Sequence, residues 1–247
     1  MICTICWQPI RNGEPRKRVT RSRPSGGMVP VTPAYTHKLC RQKPDRVPYI
    51  AAWSSERFAA EPPVVQGLLG GIRYEGEMPA DRDGRGVLWL RRPDTPGKGR
   101  PRYVDVHPGR QRRCMADLLC QVCGGPADQD DDGRVLRLIE DARADWEGWP
   151  NDLVTTHPPI CPPCVATARA QCPHTWQGSV AVRVGRSEVC GVWGRRYTAS
   201  RLGPLPVESG VVPFKSPLLG WTVAAQLVRA LNDCSIVSLD EAVAAHA

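Results

Sequence analysis

The sequence is poor in lysine, in aromatic residues and in long apolar runs. Only five of its 33 basic residues are lysine, and only 6% of its 247 residues are aromatic. No stretch approaches the ~18 consecutive apolar residues that a membrane-spanning helix needs. The first residues do not combine a basic segment with a following apolar run, as a secretory signal would. We therefore expect a cytoplasmic protein that does not bind membranes.

Signatures of common enzyme classes are absent as well. The chain contains no P-loop, no dinucleotide-binding glycine fingerprint and no Gly-x-Ser-x-Gly elbow. Its hydrophobic content of 41% suffices for a core, whereas 23 glycines and 25 prolines argue against coiled coils and helical repeats. We expect a binding protein rather than an enzyme, with no catalytic residue and no small-molecule cofactor.

Positive charge is prominent in the composition. The net charge is +8 and 28 of the basic residues are arginine, whose guanidinium group binds phosphate in a fork. A genome of high GC content would also favour arginine, so the composition leaves both explanations open. The candidate nucleic-acid contacts form two clusters, namely Arg16, Lys17, Arg18, Arg21 and Arg23, and then Arg110, Arg112 and Arg113.

Cysteine is abundant and regularly spaced. The chain has eleven cysteines, and an odd number without an export signal argues against a disulfide framework. Two intervening residues allow both side chains of a tight turn to face one tetrahedral ion. Four close pairs have this spacing, namely Cys3/Cys6, His37/Cys40, Cys120/Cys123 and Cys161/Cys164.

These pairs predict two structural zinc sites. Each site has four ligands and no open position, which distinguishes it from catalytic zinc. A partition that mixes ligands of the two halves also fits the spacing, and Cys172 is an alternative ligand. We assign one Zn²⁺ ion to Cys3, Cys6, His37 and Cys40, and a second to Cys120, Cys123, Cys161 and Cys164.

The composition divides the chain into three units. Residues 1–48 form an N-terminal zinc-binding module, in which the polar insert 7–36 is expected to be a loose hairpin or a loop held at its base by metal. Residues 49–107 form a connector with short strands, and residues 108–247 form a second zinc domain. The predicted elements are strands at 72–75, 87–91, 103–106, 134–140, 179–184, 189–197 and 211–214, and helices at 108–119 and 165–171.

A C-terminal helix is predicted over residues 218–232. Leu219, Val223, Leu227 and Leu231 recur at intervals of four, as expected for one apolar face of a helix. Ser238 and Glu241 have the spacing of a capping box, which predicts a final short helix. The fold class expected is therefore α+β, with small zinc-stapled modules, short antiparallel sheets and a C-terminal helix.

The second zinc domain has the order of a treble-clef zinc finger, because a Cys-x-x-Cys turn, a strand region and a second pair lead into a helix. The segment 112–172, which includes Arg-Arg-Cys-Met, Cys-Gln-Val-Cys-Gly and Thr-His-Pro-Pro-x-Cys-x-x-Cys, resembles a group of bacterial zinc-finger proteins from high-GC genomes. The resemblance implies a shared metal-binding module and assigns no activity to any residue. HNH nucleases also use the treble clef, but the Asp-His dipeptide typical of them is missing here.

Three functions are compatible with these features. The first is binding of nucleic acid, specifically DNA, in a regulatory or accessory role, because arginine neutralises phosphate. The second is a protein-interaction adaptor, since loop-rich zinc scaffolds present surfaces to protein partners. The third is an HNH-like nuclease, for which His157, four residues before Cys161, is the nearest histidine to the second pair.

Overall fold

A computed structural model describes residues 10, 12–13, 16–19, 34–37, 46–58, 61–68, 70–172, 175 and 178–244. These residues form a mixed fold that is mostly sheet with few helices. The strands are β1 (Arg16–Val19), β2 (Ala34–His37), β3 (Ala51–Trp53), β4 (Val64–Gln66), β5 (Ile72–Tyr74), β6 (Leu88–Trp89), β7 (Pro101–Val106), β8 (Val135–Glu140), β9 (Leu153–Thr155), β10 (Ser179–Thr198), β11 (Leu205–Pro213) and β12 (Thr222–Val237). The α-helices are α1 (Pro108–Ala116), α2 (Pro162–Gln171) and α3 (Leu239–Ala244).

One six-stranded sheet organises the chain from β6 onwards. Its centre is the antiparallel pair of β10 and β12, which run beside each other from Ala181 to Arg196 of β10. The other edge of β10 pairs first with β8 and then with β11. The other edge of β12 pairs with β9 and, in parallel, with β6. The sheet is therefore larger than the short sheets expected from the sequence, because β10 has 20 residues and β12 has 16.

The helix predicted over residues 218–232 is not formed, and this prediction was wrong. A short 3-10 turn (Pro217–Trp221) leads instead into β12. Val223, Ala224, Leu227, Val228 and Leu231 of this strand are all buried. Ala224 and Leu227 belong to one buried cluster and Val223 to another, and the pairing with β10 shifts register between Ala224 and Gln226. Apolar residues at intervals of four therefore also occur in a strand that is buried on both faces, so the spacing did not discriminate between a strand and a helix.

The other predicted helices are confirmed. Helix α1 begins at Pro108 as expected, and α2 begins directly at the Cys161/Cys164 pair. The capping box before α3 is formed in both directions. Glu241 Oε2 accepts a hydrogen bond from the Ser238 N–H at 2.8 Å, and Ser238 Oγ accepts one from the Glu241 N–H at 3.0 Å.

Three two-stranded sheets lie outside the main sheet. They are formed by β1 with β2, by β3 with β7 and by β4 with β5, and all are antiparallel. The antiparallel β1–β2 pair lies in the N-terminal insert, for which a loose hairpin or a loop was expected. Among the described residues, no helix combines the length and apolar character that crossing a bilayer requires.

Helix α1 packs against β12 through a buried glutamine. Gln111 Oε1 accepts a hydrogen bond from the Leu227 N–H at 2.8 Å, and Gln111 Nε2 donates to the Leu227 carbonyl at 3.0 Å. The same Nε2 also donates to the Thr156 carbonyl at 2.8 Å, just beyond β9. Leu227 lies between the part of β12 that pairs with β6 and the part that pairs with β9. The Gln111 amide therefore provides hydrogen-bond partners for the Leu227 N–H and carbonyl at a position where none of the described strands pairs with this edge of β12.

Candidate metal centre

Four cysteines from two distant parts of the sequence converge beside the sheet. The sulfurs of Cys120, Cys123, Cys161 and Cys164 all lie within 4.8 Å of one another. Cys161 Sγ lies 3.7 Å from Cys123 Sγ and 3.6 Å from Cys120 Sγ. A tetrahedral ion with metal–sulfur bonds of ~2.3 Å would separate its sulfurs by about 3.8 Å. The spacing therefore suits one metal ion held by four thiolates.

A tight turn supplies the first two ligands. The Cys120 N–H donates to the Gly125 carbonyl at 2.7 Å, and the Gly124 N–H donates to the Cys120 carbonyl at 2.8 Å. The Val122 N–H points at Cys120 Sγ from 3.4 Å, as expected for a turn that stabilises a thiolate. Gly124 has a φ of +75°, and a Cβ added there would meet the ring of Tyr49 at 2.8 Å. Two independent constraints therefore require glycine at this position.

The second pair is fixed by the start of α2. Cys161 is the N-cap residue, and its carbonyl accepts hydrogen bonds from the Cys164 and Val165 N–H groups at 2.9 and 3.1 Å. Pro162 and Pro163 occupy the first turn, where the missing N–H of proline leaves no hydrogen bond unmade. The first turn of the helix thus places both sulfurs on the side that faces Cys120 and Cys123.

The cysteine cluster is part of the hydrophobic core. Cys120 and Cys164 are buried, whereas Cys123 and Cys161 are half-buried. Leu136 and Leu138 of β8 and Ala242 of α3 belong to the same packed cluster. The Arg46 guanidinium lies 3.9 Å from Cys164 Sγ and brings positive charge towards the four sulfurs. Coordination at this site would therefore connect the turn, α2, the sheet and the C-terminal helix.

Burial controls the protonation of the cysteines when no metal is bound. It raises the pKa of Cys161 to about 11, and it raises the pKa of Cys164 further. Burial acts in the same direction on the pKa of Cys123, but hydrogen bonds from the Gly125 backbone and the neighbouring thiols outweigh it. The pKa of Cys123 is therefore lowered. Metal binding must expel protons from at least Cys161 and Cys164.

The other predicted zinc site lies outside the described residues. This applies to Cys3, Cys6 and Cys40, and to the side chain of His37, whose backbone ends β2. Arg21 and Arg23 also lie outside them, whereas Arg16, Lys17 and Arg18 belong to β1. Arg16 is exposed, with its guanidinium 5.4 Å from the centre of the Tyr35 ring. The first site and its ligands remain a prediction.

Arg110 does not belong to a nucleic-acid surface, and this part of the prediction needs correction. Its side chain is 2% exposed and donates to Glu56 Oε1 at 2.7 Å and to Glu56 Oε2 at 2.8 Å. It also donates to Asp94 and to the backbone carbonyls of Tyr49 and Ala51. All of its donors serve internal acceptors, so the guanidinium is not available to phosphate.

The acidic group around Arg110 could be mistaken for a second metal site. Ligand atoms of Glu56, Asp94 and His107 lie within 4.8 Å of one another, but Arg110 binds both carboxylates. His107 Nδ1 accepts from the Arg110 N–H at 3.2 Å, and its Nε2 lies 3.1 Å from the Pro93 carbonyl. Burial and the charge of Arg110 lower the pKa of His107. The group is therefore a structural network with neutral histidine.

Arg112 and Arg113 remain accessible on α1. The Arg112 guanidinium lies over the Trp89 ring, 4.5 Å from its centre. Arg113 is exposed and donates to the Tyr49 hydroxyl at 3.0 Å. Among the ion pairs of the described residues, neither arginine has a carboxylate partner. These two residues keep their predicted availability to an anion.

Comparison of the chain with protein-family models, with curated proteins and with solved structures gave no match. The chemistry of the site must therefore be inferred from its own residues. The described metal-ligand cluster contains four sulfurs and no imidazole. His157 lies on the connection to Cys161, where its N–H donates to Thr155 Oγ1 at 3.0 Å and its carbonyl accepts from Arg137 at 2.6 Å. Cys172 ends α2 and does not join the cluster.

Proposed function

We propose that this protein is a structural-zinc protein that binds nucleic acid in a regulatory or accessory role. The observation that carries the zinc assignment is the closed set of four cysteine sulfurs at tetrahedral spacing. Four thiolates favour Zn²⁺ or an iron–sulfur centre over hard cations, and redox-inert zinc suits a site built into a core. The order of turn, strand, second pair and helix supports a treble-clef-like assignment of this module.

A metal assay tests the first half of the proposal. We expect two equivalents of zinc per chain, one at this cluster and one at Cys3, Cys6, His37 and Cys40. The variant Cys161→Ser should lose one equivalent, whereas Cys172→Ser should retain both because Cys172 lies outside the cluster. Elemental analysis with thiol titration measures both quantities. Full zinc content in Cys161→Ser would contradict the assignment.

Unneutralised arginines support the nucleic-acid half of the proposal. Arg112 and Arg113 lie next to each other on α1, and neither has a carboxylate partner among the ion pairs of the described residues. Guanidinium groups that lack carboxylate partners can neutralise phosphates, which then release their counterions. Binding of this kind depends strongly on salt. The zinc ion would act only on the fold, because four cysteines leave no coordination position for a substrate.

A mobility-shift assay at two salt concentrations tests this half. We expect binding to DNA at 50 mM salt that weakens by at least about tenfold at 200 mM, because the release of counterions from the contacted phosphates is less favourable at higher salt. Arg113→Glu should weaken binding, whereas Arg143→Glu should have little effect because Asp141 already neutralises Arg143 in the ion pair between them. Binding that is absent at low salt would contradict the proposal.

The exposed edge of the main sheet favours a second candidate, a protein-interaction adaptor. Leu205, Val207 and Val211 alternate along β11, and each is about half exposed. An apolar edge strand can accept a strand from a protein partner. A pull-down that returns a stoichiometric protein partner without nucleic acid, and that fails with Val207→Lys, would favour this function.

A further inference from the structure

A cleft of about 690 Å³ lies beside α1. Its walls are formed by α1, by residues 89–94, which begin at the end of β6, and by residues 78–81. Phe58 and Met78 line the cleft with side chains that are 42% and 52% exposed, although both are apolar. Exposed apolar side chains in a concave site indicate a ligand with an apolar body.

The charges around the cleft are unevenly paired. Arg91 binds Asp81, and Arg92 binds Glu61, so these two guanidinium groups are neutralised. Arg110 shares one positive charge between Glu56 and Asp94, which leaves one negative charge in excess. Arg112 and Arg113 contribute two positive charges without carboxylate partners among the described ion pairs. The cleft therefore carries net positive charge and suits an anion.

The position of Arg112 adds a flat surface. The Arg112 guanidinium lies over the Trp89 ring, and both residues line the cleft, so a ligand can approach the face of the guanidinium opposite Trp89. Trp89 is 5% exposed and sits in the core, which gives the arginine a rigid support. Guanidinium planes stack on nucleic-acid bases, and the bases of a single strand are free to do so.

We infer that this cleft binds one nucleotide of a single-stranded nucleic acid. The base stacks on Arg112 between Phe58 and Met78, and a neighbouring phosphate binds Arg113. A duplex is excluded because its bases are already paired and stacked. This inference rests on the proposed nucleic-acid function and specifies its ligand.

Fluorescence anisotropy of the zinc-loaded full chain tests the inference with labelled single-stranded (dT)12 and a 12-base-pair duplex. We expect tighter binding of the single strand. Arg112→Ala should weaken its binding by about tenfold, and Arg112→Lys should weaken it by about fivefold because lysine keeps the charge without the planar group. The matched control Arg201→Ala removes an exposed arginine between β10 and β11 and should change binding less than twofold.

Photocrosslinking identifies the site directly. A (dT)12 strand with one 5-iodouracil should crosslink to peptides that contain Phe58, Met78 or Trp89, and Arg112→Ala should reduce that yield. Thymidine 5′-monophosphate should compete at least a hundredfold more weakly than (dT)12. Equal competition would assign the cleft to free nucleotides and overturn the single-strand inference.

The outcomes separate this inference from the proposed function. If Arg112→Ala and Arg201→Ala bind equally well, or if the duplex binds more tightly, the cleft assignment is wrong while nucleic-acid binding stands. If the unmodified protein binds neither nucleic acid at low salt, both are wrong. Circular dichroism of each variant shows whether the fold is retained, and Arg112→Lys preserves the charge if Arg112→Ala does not fold.

Discussion

At the scale of single residues, Gly124 shows how backbone geometry and packing combine at the metal centre. Its positive φ closes the turn that carries Cys120 and Cys123. The Tyr49 ring covers it. The Tyr49 N–H donates to the Val122 carbonyl at 3.0 Å, and the Tyr49 hydroxyl accepts a hydrogen bond from Arg113 at 3.0 Å. A side chain at position 124 would therefore meet an aromatic ring that is held at both its backbone and its hydroxyl.

We expect Gly124→Ala to destabilise the protein more than Gly133→Ala does. Gly133 has nearly the same φ, +74°, but nothing lies within 4 Å of its hypothetical Cβ. Both substitutions should cost about 1–2 kcal/mol through the left-handed backbone. Gly124→Ala should cost at least about 1 kcal/mol more through the contact with Tyr49.

Chemical denaturation of the two zinc-loaded variants measures this difference. Equal losses in the free energy of unfolding would show that the Tyr49 ring moves away without cost, and that only the backbone conformation matters at Gly124.

The burial of Arg110 and Gln111 was not apparent from their polar residue types. Arg110 was expected to contact nucleic acid and Gln111 had no predicted role, yet both are buried. Helical spacing could have indicated this burial, because Arg110 precedes Cys114 by four residues and Gln111 precedes Met115 by four, so each pair shares one face of the helix. Those two apolar residues are completely buried. The acceptors of Arg110 come from residues 49–56 and 94, so their approach could not be derived from local sequence.

At the scale of elements, the predictions succeeded where local signals were specific. Strand β8 and the capping box of α3 were predicted and are formed, while α2 begins three residues earlier than predicted, at Pro162. Alternation is typical of a half-buried strand, but β8 is buried on both faces up to its last residue. The convergence of Cys120, Cys123, Cys161 and Cys164 was also predicted correctly, because the Cys-x-x-Cys spacing allows both side chains of a tight turn to face one point. Strand β12 was not predicted because it is buried on both faces, so its apolar pattern lacks alternation.

The edge of β12 provides a prediction at this scale. Gln111→Leu has a similar volume but cannot form the three hydrogen bonds to Leu227 and Thr156. The buried Leu227 N–H and carbonyl would lose their partners, which should cost about 2–4 kcal/mol in stability. Hydrogen exchange of the Leu227 amide should become faster.

Gln129→Leu is the matched control, because Gln129 is exposed. It should change stability by less than about 0.5 kcal/mol. A Gln111→Leu variant that is as stable as this control would show that the hydrogen bonds from Gln111 to the edge of β12 do not stabilise the protein.

At the scale of the whole molecule, the four cysteines connect segments that are far apart in sequence. The core around them includes β8, β10, α2 and α3. If the cluster holds an ion as proposed, loss of that ion would weaken the sheet as well as the turn. Chelation should lower the thermal midpoint of the entire chain in one cooperative transition, which calorimetry would measure.

Zinc affinity should depend steeply on pH. The raised pKa values of Cys161 and Cys164 mean that these thiols hold protons at neutral pH when no metal is bound. Zinc binds the thiolates, so binding releases at least these two protons and acid favours dissociation. The apparent affinity should fall by about 100-fold for each pH unit between pH 8 and pH 6.

Competition with a chromogenic chelator at several pH values measures this slope. A flat profile would show that the thiols are already deprotonated in the metal-free protein. The comparison of Cys172→Ser with the unmodified chain provides a control for thiols outside the cluster.

The parallel pairing of β6 with β12 has a consequence for synthesis on the ribosome. Leu88 pairs with Val223, so β6 is synthesised about 135 residues before its partner strand. Until that partner emerges, the apolar side chains of Val87, Leu88 and Trp89, which are buried in the finished protein, have no sheet to cover them. The nascent chain thus carries an exposed apolar segment until β12 has been synthesised, and chaperone binding at β6 would protect this segment from aggregation.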